Sequence, residues 1–128
     1  MSANFSYASN LSTLHIDSSD LVIDRGKFTA TFTGSVVLCF DDIKLLGEEA
    51  VFYFEDDKIK DIKEIHIYKN IRAIEYDNTV LLADKAVFEM AKSELKLTGN
   101  VVIEKKGQIM KAREMTYFGK INDVVLRK

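Results

Sequence analysis

Between Phe28 and Phe40 every second residue is apolar or glycine: Phe28, Ala30, Phe32, Gly34, Val36, Leu38 and Phe40. The intervening Thr29, Thr31, Thr33 and Ser35 are small and polar, and only Val37 and Cys39 break the alternation. A period of two sustained that long predicts a β-segment with one face on a core. A second run has Leu95, Leu97, Gly99, Val101 and Ile103 on the inward side, with Glu94, Lys96, Thr98, Asn100 and Glu104 outward. The two runs are copies: Ile16 to Phe54 lies without a gap over Leu81 to Gly119, one step of 65 positions later. Identities include Lys27/Lys92, Thr33/Thr98, Gly34/Gly99, Val36/Val101 and Glu49/Glu114. Repetition at a fixed step means one supersecondary unit stacked on itself, which builds a binding or scaffolding surface more often than a unique catalytic pocket.

Gly34 and Gly99 fall in the middle of the alternating runs. Glycine there predicts a bulge, a sharp bend or a close backbone approach. A plain turn between two short strands fits equally well. Downstream of each run, Leu45/Met110 and Gly47/Ala112 share one parity, whereas Ala50/Met115 and Phe52/Tyr117 share the other. One residue has slipped between them, as a β-bulge or corner requires. A looser third copy occupies Ile65 to Ile71 and Val80 to Phe88. Asp41-Asp42, Glu55 to Lys58, Tyr76 to Asn78 and Lys105-Lys106-Gly107 are turn signals. The best helix candidate, Ala86 to Leu95, matches the repeat as strand-turn-strand. The chain contains no proline, which suits an uninterrupted ladder.

Composition excludes several classes. At 128 residues the chain forms one domain, 1–128, with residues 1–13 a loose leading segment. An apolar fraction of 47% argues against disorder, while no apolar run approaches a membrane-spanning helix. A formal charge of −2 leaves no electrostatic footprint for nucleic acid. The single Cys39 forms no internal disulfide and belongs to no zinc motif. Residues 1–7 lack the basic and apolar regions of a secretory signal.

Once the motifs are set in order, they carry a family resemblance. Leu82-Ala83-Asp84-Lys85-Ala86-Val87-Phe88 is followed by Leu97-Thr98-Gly99-Asn100-Val101-Val102-Ile103 and then by Met110-Lys111-Ala112-Arg113-Glu114-Met115-Thr116-Tyr117. A more degenerate copy reads Ser18-Ser19-Asp20-Leu21-Val22, Phe32-Thr33-Gly34-Ser35-Val36 and Leu46-Gly47-Glu48-Glu49-Ala50. Over residues 14–120 this order resembles the OstA-like N-terminal family. The resemblance implies an all-β fold: a twisted, slightly open β-jellyroll of antiparallel strands built from internal repeats. It also implies a periplasmic protein, its signal removed, that holds the lipid A acyl chains of lipopolysaccharide in an apolar groove. Stacked head to tail, such proteins bridge inner- and outer-membrane components of the transport machinery. The alternative reading is a cytoplasmic structural β-solenoid polymer of the bactofilin kind.

A jellyroll needs an apolar inward face on every strand. Here the candidates, and so the candidate lipid-binding residues, are Phe28, Phe32, Val36, Leu38, Phe40, Phe52, Phe88, Leu95, Leu97, Val101, Ile103 and Tyr117. Filling the core against each other is the plainer role for any one of them. Eight Phe and five Tyr favour lipid, and the absence of Trp argues mildly against a sugar platform. The outer strands should leave edges for self-association at Leu14, Ile16, Leu21, Ile23, Val124 and Leu126. Residues 1–64 carry a net −6 and residues 65–128 a net +4, which would steer one copy's tail to another's head. His66, between Ile65 and Ile67, should face solvent, and neither it nor His15 sits in a catalytic context. Neither catalysis, nor a cofactor, nor a metal site is expected. Acidic pairs such as Asp41-Asp42 read as turn formers.

Overall fold

The computed structural model describes residues 3–8, 13–40, 43–55, 62–75, 78–92, 94–118 and 123–127. Ten strands make up almost all of it: β1 (Ala3–Ala8), β2 (Thr13–Ser18), β3 (Asp20–Asp24), β4 (Thr29–Phe40), β5 (Ile43–Phe54), β6 (Ile62–Glu75), β7 (Val80–Glu89), β8 (Glu94–Lys105), β9 (Gln108–Phe118) and β10 (Asp123–Arg127). A 3-10 turn, Met90–Lys92, joins β7 to β8, so Ala86 to Leu95 is strand-turn-strand. All strands belong to one sheet, ordered β1-β2-β4-β5-β6-β7-β8-β9-β10, with β3 beside β4 in line with β2. Every pairing is antiparallel. A solenoid of the bactofilin kind stacks its coils in parallel, so that alternative is set aside.

Alternate strands differ in kind. β4, β6 and β8 each contain two successive left-handed residues at mid-strand: Gly34-Ser35 (φ 84° and 50°), Lys69-Asn70 (67° and 53°) and Gly99-Asn100 (81° and 49°). The ladder steps out of register at each pair, with Thr33/Val36, Tyr68/Ile71 and Thr98/Val101 flanking the breaks. The strands between them have no left-handed residue there. They pass the same level by a change of parity: β5 buries Ile43 and Leu45, then Ala50, Phe52 and Phe54. This is the slip expected from sequence, and it turns a corner. The pairs lie thirty-five and thirty residues apart, which together make the 65-residue step.

Because the corner recurs at one level in every strand, it runs across the whole sheet. Inward residues on both sides of it are closed off: Phe32, Phe52, Ile65, Ile67 and Leu97 on one side, Val36, Leu38, Leu45, Ile71 and Leu81 on the other, each at 2% exposure or less. A sheet face reaches such values only when covered, so the sheet is folded along the corner and its two halves cover each other. The interior therefore runs along the strand-stacking direction. At one hairpin tip Lys106 and Gly107 are both left-handed (φ 50° and 80°), as a two-residue hairpin turn demands.

Two placements correct the sequence reading. Phe28 does not continue the inward row; it sits in the β3–β4 tip at φ 55° and is 43% exposed. The strand starts at Thr29, so alternation counted past its end has no face to refer to. Leu14 and Ile16 are not at an edge: β2 pairs with β1 on one side and β4 on the other, and both residues are buried.

Candidate lipid-binding interior and strand edges

The inward face is a continuous apolar surface. Phe32, Val36, Leu38, Phe52, Phe88, Leu95, Leu97, Val101 and Ile103 all lie on it and are buried. The side chains of Phe40 and Tyr117 lie outside the described residues. Phe32 and Phe52 meet with ring centroids 4.9 Å apart, and Phe52 and Phe54 at 6.4 Å, forming an aromatic cluster in one half of the fold. The sequence reading left several members unassigned. Ile65, Ile67 and Ile71 from β6, Leu81 and Ala86 from β7 and Met115 from β9 are equally buried. The Ile-x-Ile spacing of β6 was the available signal for the first two.

The interior reaches the surface at each end of the stack. Ile23 on β3 shares the inward face with its cross-strand partner Ala30, yet it is 49% exposed. At the other end Met110 on β9 faces inward with its partner Ile103 and is 44% exposed. Both positions lie on backbone with an open edge. Among the described residues β1 covers β2 but stops short of β3, and β10 pairs with Glu114–Phe118 of β9 while 108–112, paired with β8 on one side, have no strand on the other. Outward-facing Val22 and Ile109 beside them are 65% and 63% exposed. Leu21 and Ile23 thus lie on an open edge, β10 forms the last strand at the other end, and the side chains of Val124 and Leu126 lie outside the described residues.

On the convex side, the family motifs turn out to be parts of the corner. Asn100 Nδ2 donates to Asp84 Oδ2 at 3.0 Å, joining the Thr-Gly-Asn-Val segment to the Ala-Asp-x-Ala segment one strand away. In the middle copy Asn70 Nδ2 donates to Glu48 Oε2 at 2.7 Å. In the first copy, where serine replaces both partners, the Ser19 amide donates to the carbonyls of Thr33 and Gly34 at 3.1 and 2.9 Å. A shallow cleft of about 520 Å³ follows the corner, lined among others by Gly34, Ser35, Gly47, Glu48 and Lys69. Between the corner and the tips, His66 is half-buried instead of facing open solvent. Its Nε2 lies 3.2 Å from Glu64 Oε1, and its Nδ1 3.3 Å from the Tyr68 hydroxyl. One tautomer serves both: Nε2–H donates to the carboxylate and Nδ1 accepts from the phenol. Tyr53 packs edge-on to the imidazole at 4.8 Å, and Lys85 Nζ lies 5.3 Å from the Tyr68 ring centre. Burial, then Tyr53 and Glu49, push the Tyr68 hydroxyl above the ordinary tyrosine pKa. Among the described residues no three His, Cys, Asp or Glu side chains cluster to hold a metal ion. The expected turn formers Asp41-Asp42 lie outside them.

The structure is thus a folded, repeat-built antiparallel sheet around an apolar interior that surfaces at Ile23 and Met110. The chain belongs to the family described as LptA/(LptD N-terminal domain) LPS transport protein, whose pattern matches residues 15–122. Its fold is shared by LptH of Pseudomonas aeruginosa, the LptA-homologous periplasmic component of that organism's lipopolysaccharide transport device. The two align with a TM-score of 0.73 at 13% identity, over 90% of this chain and 82% of that one. A protein of Rickettsia prowazekii (strain Madrid E), the uncharacterized protein RP507, is 26% identical over 119 residues, covering 91% of this chain and 82% of its own length.

Proposed function

We propose that this protein carries lipopolysaccharide through the periplasm. It shields the lipid A acyl chains in its folded interior and stacks head to tail between inner- and outer-membrane components of the transport machinery. The observation that carries the reading is the unbroken apolar face, closed along the stack and surfacing at Ile23 and Met110, in a chain of the lipopolysaccharide-transport family. A photo-reactive phenylalanine analogue at position 32 or 97 is expected to capture lipopolysaccharide, while one at outward Thr31 or Lys96 is expected to capture none. Equal labelling at the four sites would reduce the interior to ordinary core.

The stepped ends support the stacking. β10 pairs with β9 only from Glu114 onward, β1 is six residues long, and β10 and β3 are each five. When the β9 end of one copy meets the β2/β3 end of the next, β10 fits beside β3 and β1 beside the uncovered β9. All contacts are then antiparallel. β10 reaches the corner level at Arg127, opposite Glu114, and β1 leaves it at Ala3, opposite Ser18. Together they make one composite strand, broken at the corner, in the place the alternation reserves for a cornered strand. The contact joins two different surfaces, so it propagates without closing, and it covers the exposed Val22, Ile23, Ile109 and Met110. Concentration-dependent oligomers are expected in sedimentation at low salt, weakened by salt and by deletion of residues 121–128. A strict monomer at high concentration and low ionic strength would rule the stacking out.

A further inference from the structure

The closed interior poses a mechanical problem. Its inward side chains are already in contact, with Phe32, Phe52, Ile67 and Leu97 at no more than 1% exposure, so an acyl chain enters only if the two halves of the sheet part. In every pairing from β4 to β9 the ladder steps at the corner; the one further step recorded in these pairings lies between Tyr53 and Phe54 of β5, at the far end of that strand. Parting therefore concentrates at the corner, as rotation about the left-handed pairs. On the concave side the corner is filled by apolar contact: a Cβ built on Gly47 would lie 2.7 Å from Ile67 Cγ2 and 3.0 Å from Ile71 Cδ1. The convex side is tied by side chains. Asn70 and Asn100 are each the second residue of a left-handed pair, and each reaches one strand back to a carboxylate, Glu48 or Asp84. Holding the asparagine holds the rotation of its own pair; both bonds are solvent-exposed, so each contributes modestly even with a carboxylate acceptor.

We propose that the Glu48–Asn70 and Asp84–Asn100 ties set how far the folded sheet opens, and thereby the number of acyl chains the interior accepts. The inference rests on the lipid-carrier reading above and adds to it the residues that determine specificity. These four are positioning residues, remote from the acyl chains themselves. The first copy differs in kind, since Ser19 and Ser35 replace carboxylate and amide and the connection there is made by the Ser19 backbone. Among the described residues, therefore, two levels are tied by side chains and one by the Ser19 backbone.

Glycine accepts the left-handed conformation and removes the tie but also loosens the pair, so removal of the acceptors is tested beside it. Asn70→Gly and Asn100→Gly are made singly and together in a Cys39→Ser background. Lys92→Cys and Lys106→Cys spin labels then bracket β8, whose bend they report as an interlabel distance. Binding is measured by displacement of an apolar fluorophore, with a single-chain fatty acid and a hexa-acylated lipid A as competitors. The double glycine variant is expected to unfold cooperatively and to show a longer, broader interlabel distance without lipid. Its preference for the six-chain over the one-chain ligand is expected to rise about tenfold, while Asp84→Asn, which keeps a carbonyl acceptor, stays near the parent. The double variant Glu48→Ala, Asp84→Ala, which removes both acceptors and leaves the pairs intact, is expected to shift distance and ligand preference in the same direction. An unchanged distance, or a longer distance with an unchanged ligand ratio, overturns the proposal. If the parent protein binds neither competitor, the carrier reading itself fails, and the two failures are told apart by the parent's binding alone.

Discussion

A Gly99→Ala chain is expected to lose about 3 kcal/mol or more of stability, against about 1–2 kcal/mol for Gly107→Ala, measured by denaturant unfolding. The two glycines have nearly the same φ, +81° and +80°, so both substitutions incur a left-handed penalty of similar size. They differ in space. A Cβ at Gly107 would meet nothing within 4 Å, whereas at Gly99 it would fall 2.6 Å from Asp84 Oδ2 and 2.8 Å from Asp84 Cβ. The difference between the two losses therefore measures how tightly the β7 and β8 segments close at the corner. Shortening the partner, Asp84→Gly, is expected to recover part of the Gly99→Ala loss while being unfavourable alone. Equal losses at the two glycines would mean that the corner is loose, and that the co-occurrence of the Ala-Asp and Thr-Gly-Asn motifs has another cause.

The second large effect is expected in the aromatic cluster. Phe52 is 0% exposed, and its ring lies 4.9 Å from that of Phe32. Truncating it to alanine deletes a buried aromatic from a site bounded by stiff strands that collapse poorly into the gap. The expected cost is about 3–5 kcal/mol. The exposed Val22→Ala should change stability by no more than about 0.5 kcal/mol. Should Phe52→Ala cost less than about 1 kcal/mol, the interior would be loosely filled, and the case for a barrier to acyl entry would weaken with it.

Much of this architecture is legible in the chain because its local rules agree with one another. Alternation in 29–40 and 94–104 marks β4 and β8, and the parity slip between Gly47 and Ala50 marks the corner. What escapes has a physical reason in each case. The middle corner is built from Lys69-Asn70 with no glycine, so its left-handed pair shows no compositional sign and the third copy reads as looser than it is. Phe28 keeps the arithmetic of the alternation after the strand has ended. Leu14 and Ile16 read as edge residues because 1–13 reads as a loose leading segment, although Ala3, Phe5 and Tyr7 alternate there with Asn4 and Ser6 as a strand does. The interior lining is legible as a face, but not its closure: period-two patterning says which side is apolar, never whether that side meets a ligand or the other half of the same sheet. The pairing of Asp84 with Asn100, sixteen residues away, needs the register of β7 against β8.

In the proposed stack, the alternation of cornered and plain strands would act as a ruler with a coarse scale. Neighbouring strands are spaced about 4.8 Å apart, so a copy whose ends interlock through one composite strand advances about 38 Å along the stack over eight levels. Adding or losing a single strand would set two strands of the same kind side by side and leave a corner without its neighbour. Length can change only by a whole hairpin, one cornered strand and one plain one, or about 10 Å. Relatives that span gaps of different width are thus expected to differ in steps of two strands, or in the number of copies, and never by one strand alone.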